Sequence, residues 1–331
     1  MSSAHYLSFI EQTLHYFDRP HQQIPREPLQ YAAAWRGKDI PPLEQMAYRL
    51  EEGEIAEIEA ALALLEDRAV DTRTLTASDF PLPALTQRFQ EWRATLGSGL
   101  GFQVIRGVPV ERWSQAQCER FFWCFGLHLG QPGEQNPDGH LLGHVVDLRE
   151  RAAVNTVRLY KTAANIDYHC DAADVVGLLC LHKARSGGKS RIVSSVAVFN
   201  ELLRRRPELV ARLFEPVHLD VRDKDVNEVG STLLIPPCRY ADDSLRTFYH
   251  ADYFRSAVRH DDVPPLTQEE EDLFDTYESI AMEEGMYLDM DLQPGDIQLL
   301  SNHTILHART EYEDFEDPAQ RRHLLRLWLS L

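Results

Sequence analysis

The hydrophobic period of this chain changes near residue 100, and that change limits the fold more than any other feature. Before it, apolar residues recur at helical spacing, as in Met46, Leu50, Ile55, Ile58, Leu62 and Leu65, with acids between them. After it, the chain reads as short strands separated by turns. GFQVIRGVPV opens this part, and Pro109 is expected to end its strand. Further strands are expected at 154–160, 175–182, 191–196, 232–235, 286–292, 296–301 and 323–331. Helices are expected at 3–17, 43–65, 114–127 with Ser114 as N-cap, 197–206 and 267–284. Residues 18–42 hold five prolines and read as an extended linker lying over the surface. Many short strands with inserted helices favour a mainly β, α+β protein with a sandwich or barrel core over a parallel α/β sheet. The expected division is a helical region, 1–99, packed on a mainly β core, 100–331.

Charge and cysteine content remove several classes of function. The 331 residues hold 34 basic and 52 acidic side chains, a net charge of −18. Such a chain is repelled by phosphate backbones and anionic lipid surfaces, so neither nucleic acid nor membrane is an expected partner. The five cysteines are unevenly spaced with no CxxC, which argues against a disulfide framework or a thiolate zinc site. The longest apolar run, 175–181, is far short of a membrane span, and the first residues do not read as a signal peptide. A cytoplasmic protein is expected; self-association is left open. No GxGxxG or Walker loop is present, which removes the usual nucleotide cofactors.

Fourteen histidines direct attention to metal chemistry. On a strand, His-x-Asp puts an imidazole and a carboxylate on one face. With one more histidine they form a triad that binds ferrous iron and leaves open positions. Four such pairs occur: His169/Asp171, His218/Asp220, His250/Asp252 and His260/Asp262. His260 lies in a charged turn and reads as solvated. His250 lies among aromatic residues, and His218 runs into a charged loop. Only His169/Asp171 has a second chemical feature at a set distance, the SGGKS turn beyond the 175–182 strand.

Three segments in order, YHCDAADVVGLLCLHKARSGGKSRIVSS, LQPGDIQLLSNHTILHART and QRRHLLRLWL, carry a resemblance. They resemble the TauD/TfdA family of iron(II)- and 2-oxoglutarate-dependent oxygenases, over roughly residues 100–331. The resemblance implies a double-stranded β-helix, or jelly-roll, core. It implies iron(II) held by His169, Asp171 and His307. It places Ser190 and Arg322 on the far carboxylate of 2-oxoglutarate, and Arg326 near the other carboxylate or the substrate. Dioxygen would be the second cosubstrate. The expected reaction is oxidation of a C–H bond of a small polar metabolite, by hydroxylation, desaturation or ring closure, with release of succinate and CO2. Parity agrees, because 322, 324 and 326 share one strand face, and arginine holds carboxylates by paired hydrogen bonds.

Cys170, between the two ligands, should point to the opposite face. His303 competes with His307, since extended-strand parity would place both on one side. The ART that follows and the spacing to Arg322 favour His307 and leave His303 as a pocket residue. Asp171 argues against a halogenase, because halogenating relatives replace this acid with a small residue. Further substrate candidates are Asn155, Arg158, Tyr160, Tyr249, His250 and Tyr253. Two other readings are a non-enzymatic jelly-roll binding module and a cupin-type metal hydrolase, neither of which needs the Arg322/Ser190 site.

Overall fold

Among the described residues, most strands after residue 100 assemble into two larger sheets with the site between them, and three two-stranded pairs lie beside these. The computed structural model describes residues 5–66, 71–136, 138–147, 165–221 and 230–331. The larger sheet runs in the order Tyr48–Arg49, Phe102–Arg106, Ile297–Ser301, Val175–His182, His323–Ser330 and Gln131–Pro132, with Leu142–Val146 also paired to His323–Ser330. All its pairings are antiparallel except that of Tyr48–Arg49 with Phe102–Arg106. The smaller sheet is antiparallel, in the order Tyr287–Met290, Ser190–Ser194, Ile305–Arg309 and Ile166–His169.

Strand alternation sorts the side chains into three layers. Val176, Cys180, Leu300, Leu324 and Trp328 of the larger sheet meet Ile192, Met290 and Ile305 of the smaller one in the inner layer. Val175, Leu179, Leu299, Leu325 and Leu327 point outward and are covered by Ile58, Leu62, Trp92, Phe121 and Phe125 from helices Glu52–Glu66, Thr86–Ser98 and Gln115–Leu129. Tyr168, Val193 and Leu306 leave the other outer face and pack on Phe199, Phe254, Phe274 and Tyr277 from helices Ser195–Arg205, Ala251–Ser256 and Gln268–Ala281. The five cysteines are buried and unpaired.

Departures from the sequence reading have local causes. The helix expected over 43–65 is interrupted after Met46, because Tyr48 and Arg49 pair with Ile105 and Arg106 at the edge of the larger sheet. It restarts at Glu52, where the Glu54 carboxylate accepts the Glu51 backbone N–H at 2.9 Å. The strand expected over 191–196 ends at Ser194, whose hydroxyl caps the following helix by accepting the Ala197 N–H. The helices capped by Ser114 and Thr267 begin where their capping boxes place them. Residues 18–42 form a pinned strap. Gln22 donates to the Tyr240 carbonyl, Leu29 to the Asn200 side chain, and the buried Trp35 indole to the Leu100 carbonyl. The strand expected over 154–160 lies outside the described residues, and so do Asn155, Arg158 and Tyr160.

Candidate active site

His169 ends its strand and His307 lies mid-strand in Ile305–Arg309; register places them directly opposite each other. Ile305, His307 and Arg309 alternate inward while Leu306 joins the outer layer. Asp171 follows in the loop after His169. One ligand atom from each of His169, Asp171 and His307 lies within 4.8 Å of the others, and among the described residues this is the one such cluster. The imidazole rings of His169 and His307 are 4.2 Å apart, and His307 Nε2 is 3.8 Å from Asp171 Oδ2.

The surroundings prepare these atoms for a cation. His169 Nδ1 meets the Asp167 carbonyl at 2.9 Å, which leaves Nε2 for a metal. Burial, with His169 beside it, pushes the His307 imidazole down to about 3, so at neutral pH the ring is uncharged and one of its two nitrogens keeps a free lone pair. Burial opposes charge on Asp171, but Arg326, His307 and His169 outweigh it and keep the carboxyl below its usual range. Trp328 Nε1 donates to Asp171 Oδ2 at 3.0 Å. Asn302 fixes the loop, accepting the Asp171 N–H at 3.1 Å and donating to the Ala173 carbonyl at 2.9 Å. Cys170 turns away, its thiol directed at the Thr247 and Ile305 carbonyls. Two imidazoles and one carboxylate in this arrangement fit ferrous iron with open positions.

An arginine-rich end adjoins them between the sheets. Arg322 is 6 % exposed, and its Nη1 is buried without a hydrogen-bond partner. Its guanidinium packs over the Tyr312 ring at 5.2 Å and against Gly188. Gly188 has φ +70°, and a Cβ there would come within 3.1 Å of Arg322 Nε. Arg309 lies across from Ser190 in the sheet register and sits over the same Tyr312 ring at 4.8 Å. Burial, reinforced by Arg322, lowers the Arg309 guanidinium to about 10. The buried Ser190 hydroxyl donates to Gln298 Oε1 at 2.9 Å. Two buried cations beside a hydroxyl, one with an unsatisfied N–H, fit a carboxylate such as that of 2-oxoglutarate. Arg326 lies on the triad side, with Nε donating to Gln135 Oε1 at 2.7 Å and Nη1 3.8 Å from Asp171 Oδ2.

The remaining candidates separate. His250 bridges His169 across the backbone, its ring 5.2 Å from that of His169 and stacked on Tyr253 at 3.7 Å. Both therefore stand beside the triad. Tyr249 does not: it is fully buried among Phe254, Phe274 and Tyr277, because the strand-to-helix passage turns alternate residues into the outer core. His303 is also elsewhere. Residues 302–304 form a turn, so strand parity with His307 does not hold, and His303 Nε2 instead meets Asp174 Oδ1 at 2.7 Å. His218 contacts Thr232 at 3.2 Å, and His260, rather than being solvated, meets the buried Asp220 at 3.1 Å. The wall beside His169 is acidic. Burial and Asp252 raise Asp167, and burial with both of these acids raises Glu278 to about 7. Arg309, Trp328, Gln135 and Asn302 escaped the sequence reading. Arg309 alone carried a signal, as the inward-parity cation two residues after His307.

Residues 67–328 match the family described as "Taurine catabolism dioxygenase TauD, TfdA family". The chain belongs to the TauD/TfdA family. It is an iron(II)- and 2-oxoglutarate-dependent dioxygenase on the jelly-roll scaffold, which sets aside the binding-module and hydrolase readings. The chain is 29% identical to FR-33289 synthase of Streptomyces rubellomurinus, over 93% of this chain and 92% of that protein. It is also 29% identical to the taurine hydroxylase-like protein SAT17 of Stachybotrys chartarum, over 89% of this chain and 77% of that one. Among solved structures, an asparagine oxygenase in complex with Fe(II), 3-hydroxyasparagine and succinate superposes with a TM-score of 0.69 at 16% identity, covering 86% of this chain and 93% of the other. The non-heme iron oxygenase OrfP, in complex with iron and alpha-ketoglutaric acid, gives 0.65 at 16% identity, covering 86% and 94%. At such identities these two likenesses speak to the fold alone. Among the described residues no helix is long and apolar enough to cross a membrane.

Proposed function

We propose that His169, Asp171 and His307 hold the iron, that Arg322 and Ser190 take the distal carboxylate of 2-oxoglutarate, and that the enzyme hydroxylates a C–H bond of a small polar metabolite carrying an acid group. The observation that carries this reading is the juxtaposition of three metal donors within 4.8 Å with a buried arginine whose Nη1 has no hydrogen-bond partner. Iron, 2-oxoglutarate and dioxygen together supply the oxidant, and 2-oxoglutarate leaves as succinate and CO2. The chain's own residues do the rest. The two imidazoles and the carboxylate would hold the metal and leave coordination positions for cosubstrate and oxygen. Arg322 orients the cosubstrate from its distal end, and Arg309 adds positive potential beside it. Trp328 and Asn302 fix the Asp171 carboxylate and its loop. Burial of Arg309 and Arg322 between the sheets keeps bulk water from the arginine end. Arg326 faces the substrate or near-carboxylate side and supports an acid group there. His250 and Tyr253 form a wall beside His169.

The test is anaerobic addition of iron(II) and 2-oxoglutarate, which should give a weak visible charge-transfer band. The band should be absent in His307→Ala. With oxygen, a panel of small carboxylic, sulfonic and amino acids should contain compounds that stimulate succinate release. Amino acids outperforming simple acids would give the acidic wall at Asp167 a part in selection. A wild-type protein with no band, or a His307→Ala protein that keeps it, would overturn the assignment.

A further inference from the structure

Away from the triad, a cleft of about 520 Å³ opens where the strap crosses the hairpin formed by Cys238–Ala241 and Ser244–Thr247. It shares no lining residue with the triad or with the Arg322 end, and its volume falls in the range of small-molecule sites. Three arginines line it: Arg19, Arg239 and Arg246.

Arg239 and Arg246 are direct cross-strand partners in the hairpin register. Like charges placed directly opposite each other destabilise an antiparallel pair. This chain has an excess of acids, and several of its other partly buried arginines use them. Arg36 pairs with Glu201, Arg191 with Asp289, Arg212 with Glu270 and Arg259 with Asp220. Among the described residues, the side chains of Arg239 and Arg246 form neither an ion pair nor a hydrogen bond. The cleft contains two carboxylates, and both have other partners. Asp242 accepts from the Gln22 side chain at 3.0 Å and Asp243 from the Tyr240 hydroxyl at 3.2 Å. Arg19 directs Nη2 to Asp174, while its Nε is buried with no hydrogen-bond partner. Burial, with the charge of Arg19 nearby, lowers the Arg246 guanidinium. Three arginines line one cleft, two of them opposite each other in register, an array suited to an anion.

We propose that this cleft is a second ligand site, which binds a small multiply charged oxyanion, phosphoryl or dicarboxylate, between Arg239 and Arg246 with Arg19 as a third donor. The cross-strand repulsion is then a cost of the binding site, relieved when the anion is bound.

Titration calorimetry and thermal melting in chloride buffer of matched ionic strength test this, with inorganic pyrophosphate and succinate as probes. An Arg322→Ala background removes the cosubstrate's main anchor, so that binding is read at the cleft. At least one probe should bind in that background and raise the melting temperature. Pyrophosphate alone acting identifies a phosphoryl ligand, and succinate alone a dicarboxylate. Adding Arg239→Gln and Arg246→Gln should weaken binding by about tenfold or more, the loss of roughly one charge-assisted contact. Without a probe, that protein should melt at the same temperature as its parent or higher, because the opposed charges are gone. Failure of both probes to bind would overturn the proposal. So would unchanged affinity after the Arg239/Arg246 substitutions, or a marked fall in probe-free melting temperature, which would make the pair structural.

Discussion

Asp171 and Asp174 are three residues apart in one loop, each flanked by two histidines, yet their surroundings differ. Asp171 stands with His169 and His307 and accepts one hydrogen bond among the described residues, from Trp328. Asp174 stands with His15 and His303 and accepts from four donors: His15 Nε2 at 2.9 Å, His303 Nε2 at 2.7 Å, the Leu331 N–H at 2.9 Å and Arg19. Residue type alone does not make a metal site. The Asp171 cluster keeps three ligand atoms within 4.8 Å of one another, whereas the Asp174 oxygens are occupied by protein donors that tie the first helix, the 302–304 turn and the last residue to the loop. Arginines show the same contrast. Arg19 is paired with Asp174, while the Arg322 side chain has no carboxylate partner among the described residues.

The largest expected effect separates the two clusters outright. Asp171→Ala or His307→Ala should abolish iron binding and 2-oxoglutarate turnover, because a three-ligand site cannot lose one donor. His303→Ala should still bind iron. Metal analysis and the anaerobic charge-transfer band read both, and an iron-free His303→Ala protein with an intact fold would erase the distinction.

Next comes the unsatisfied arginine. Arg322→Ala should weaken 2-oxoglutarate binding by about 3–5 kcal/mol, hundreds to thousands of fold, by leaving a buried carboxylate unpaired. Arg322→Lys should weaken it less, since charge remains but the fork is lost. Iron affinity should hold in both. A 2-oxoglutarate titration checks this, and wild-type affinity in Arg322→Ala would refute the cosubstrate assignment.

Asp174→Ala should instead act on stability. Removing a buried carboxylate from Arg19, His15 and His303 should cost up to about 3–5 kcal/mol in denaturant unfolding. The direct contacts of the metal donors with one another would be untouched.

The smallest effect is pH dependence of the same hub. Burial, only partly countered by Asp174, pushes His303 down to about 4, so the fold holds it neutral while the unfolded chain takes up a proton near 6.5. Its contribution is present above about 6.5 and is lost as pH falls towards 4. Burial opposes charge on Asp174 too, but His303, Leu331 and Arg19 hold its carboxyl well below the usual range, which adds a further loss in stronger acid. His303→Gln should flatten unfolding free energy between pH 6.5 and 4. An unchanged slope would show that His303 does not set it.

Much of the triad could be read before any coordinates. His169-Cys-Asp171 is local, and strand alternation directs His307 and Arg309 inward whatever the neighbours are. The helix starts at Ser114 and Thr267 are similarly local, since a capping box lies within four residues. Tyr249 was misplaced because an aromatic beside a histidine reads alike whether it faces a pocket or the core. Parity misled for His303 because a turn, not a strand, precedes Ile305.

The sequence by itself determined the run of short strands with inserted helices, the helix starts and the His-x-Asp pairs, because alternation and capping act over a few residues; the jelly-roll core and the roles proposed for His307 and Arg322 came with the family resemblance. Only the tertiary structure decided which acid is left open and which is filled. Asp174 receives donors from positions 15, 19, 303 and 331, and Asp171 receives Trp328 from 157 residues away. The strap's burial, the interrupted 43–65 helix and the opposed Arg239 and Arg246 have the same origin. Each depends on strand register and on packing between segments distant in the chain, where free energy depends on what arrives rather than on what is adjacent.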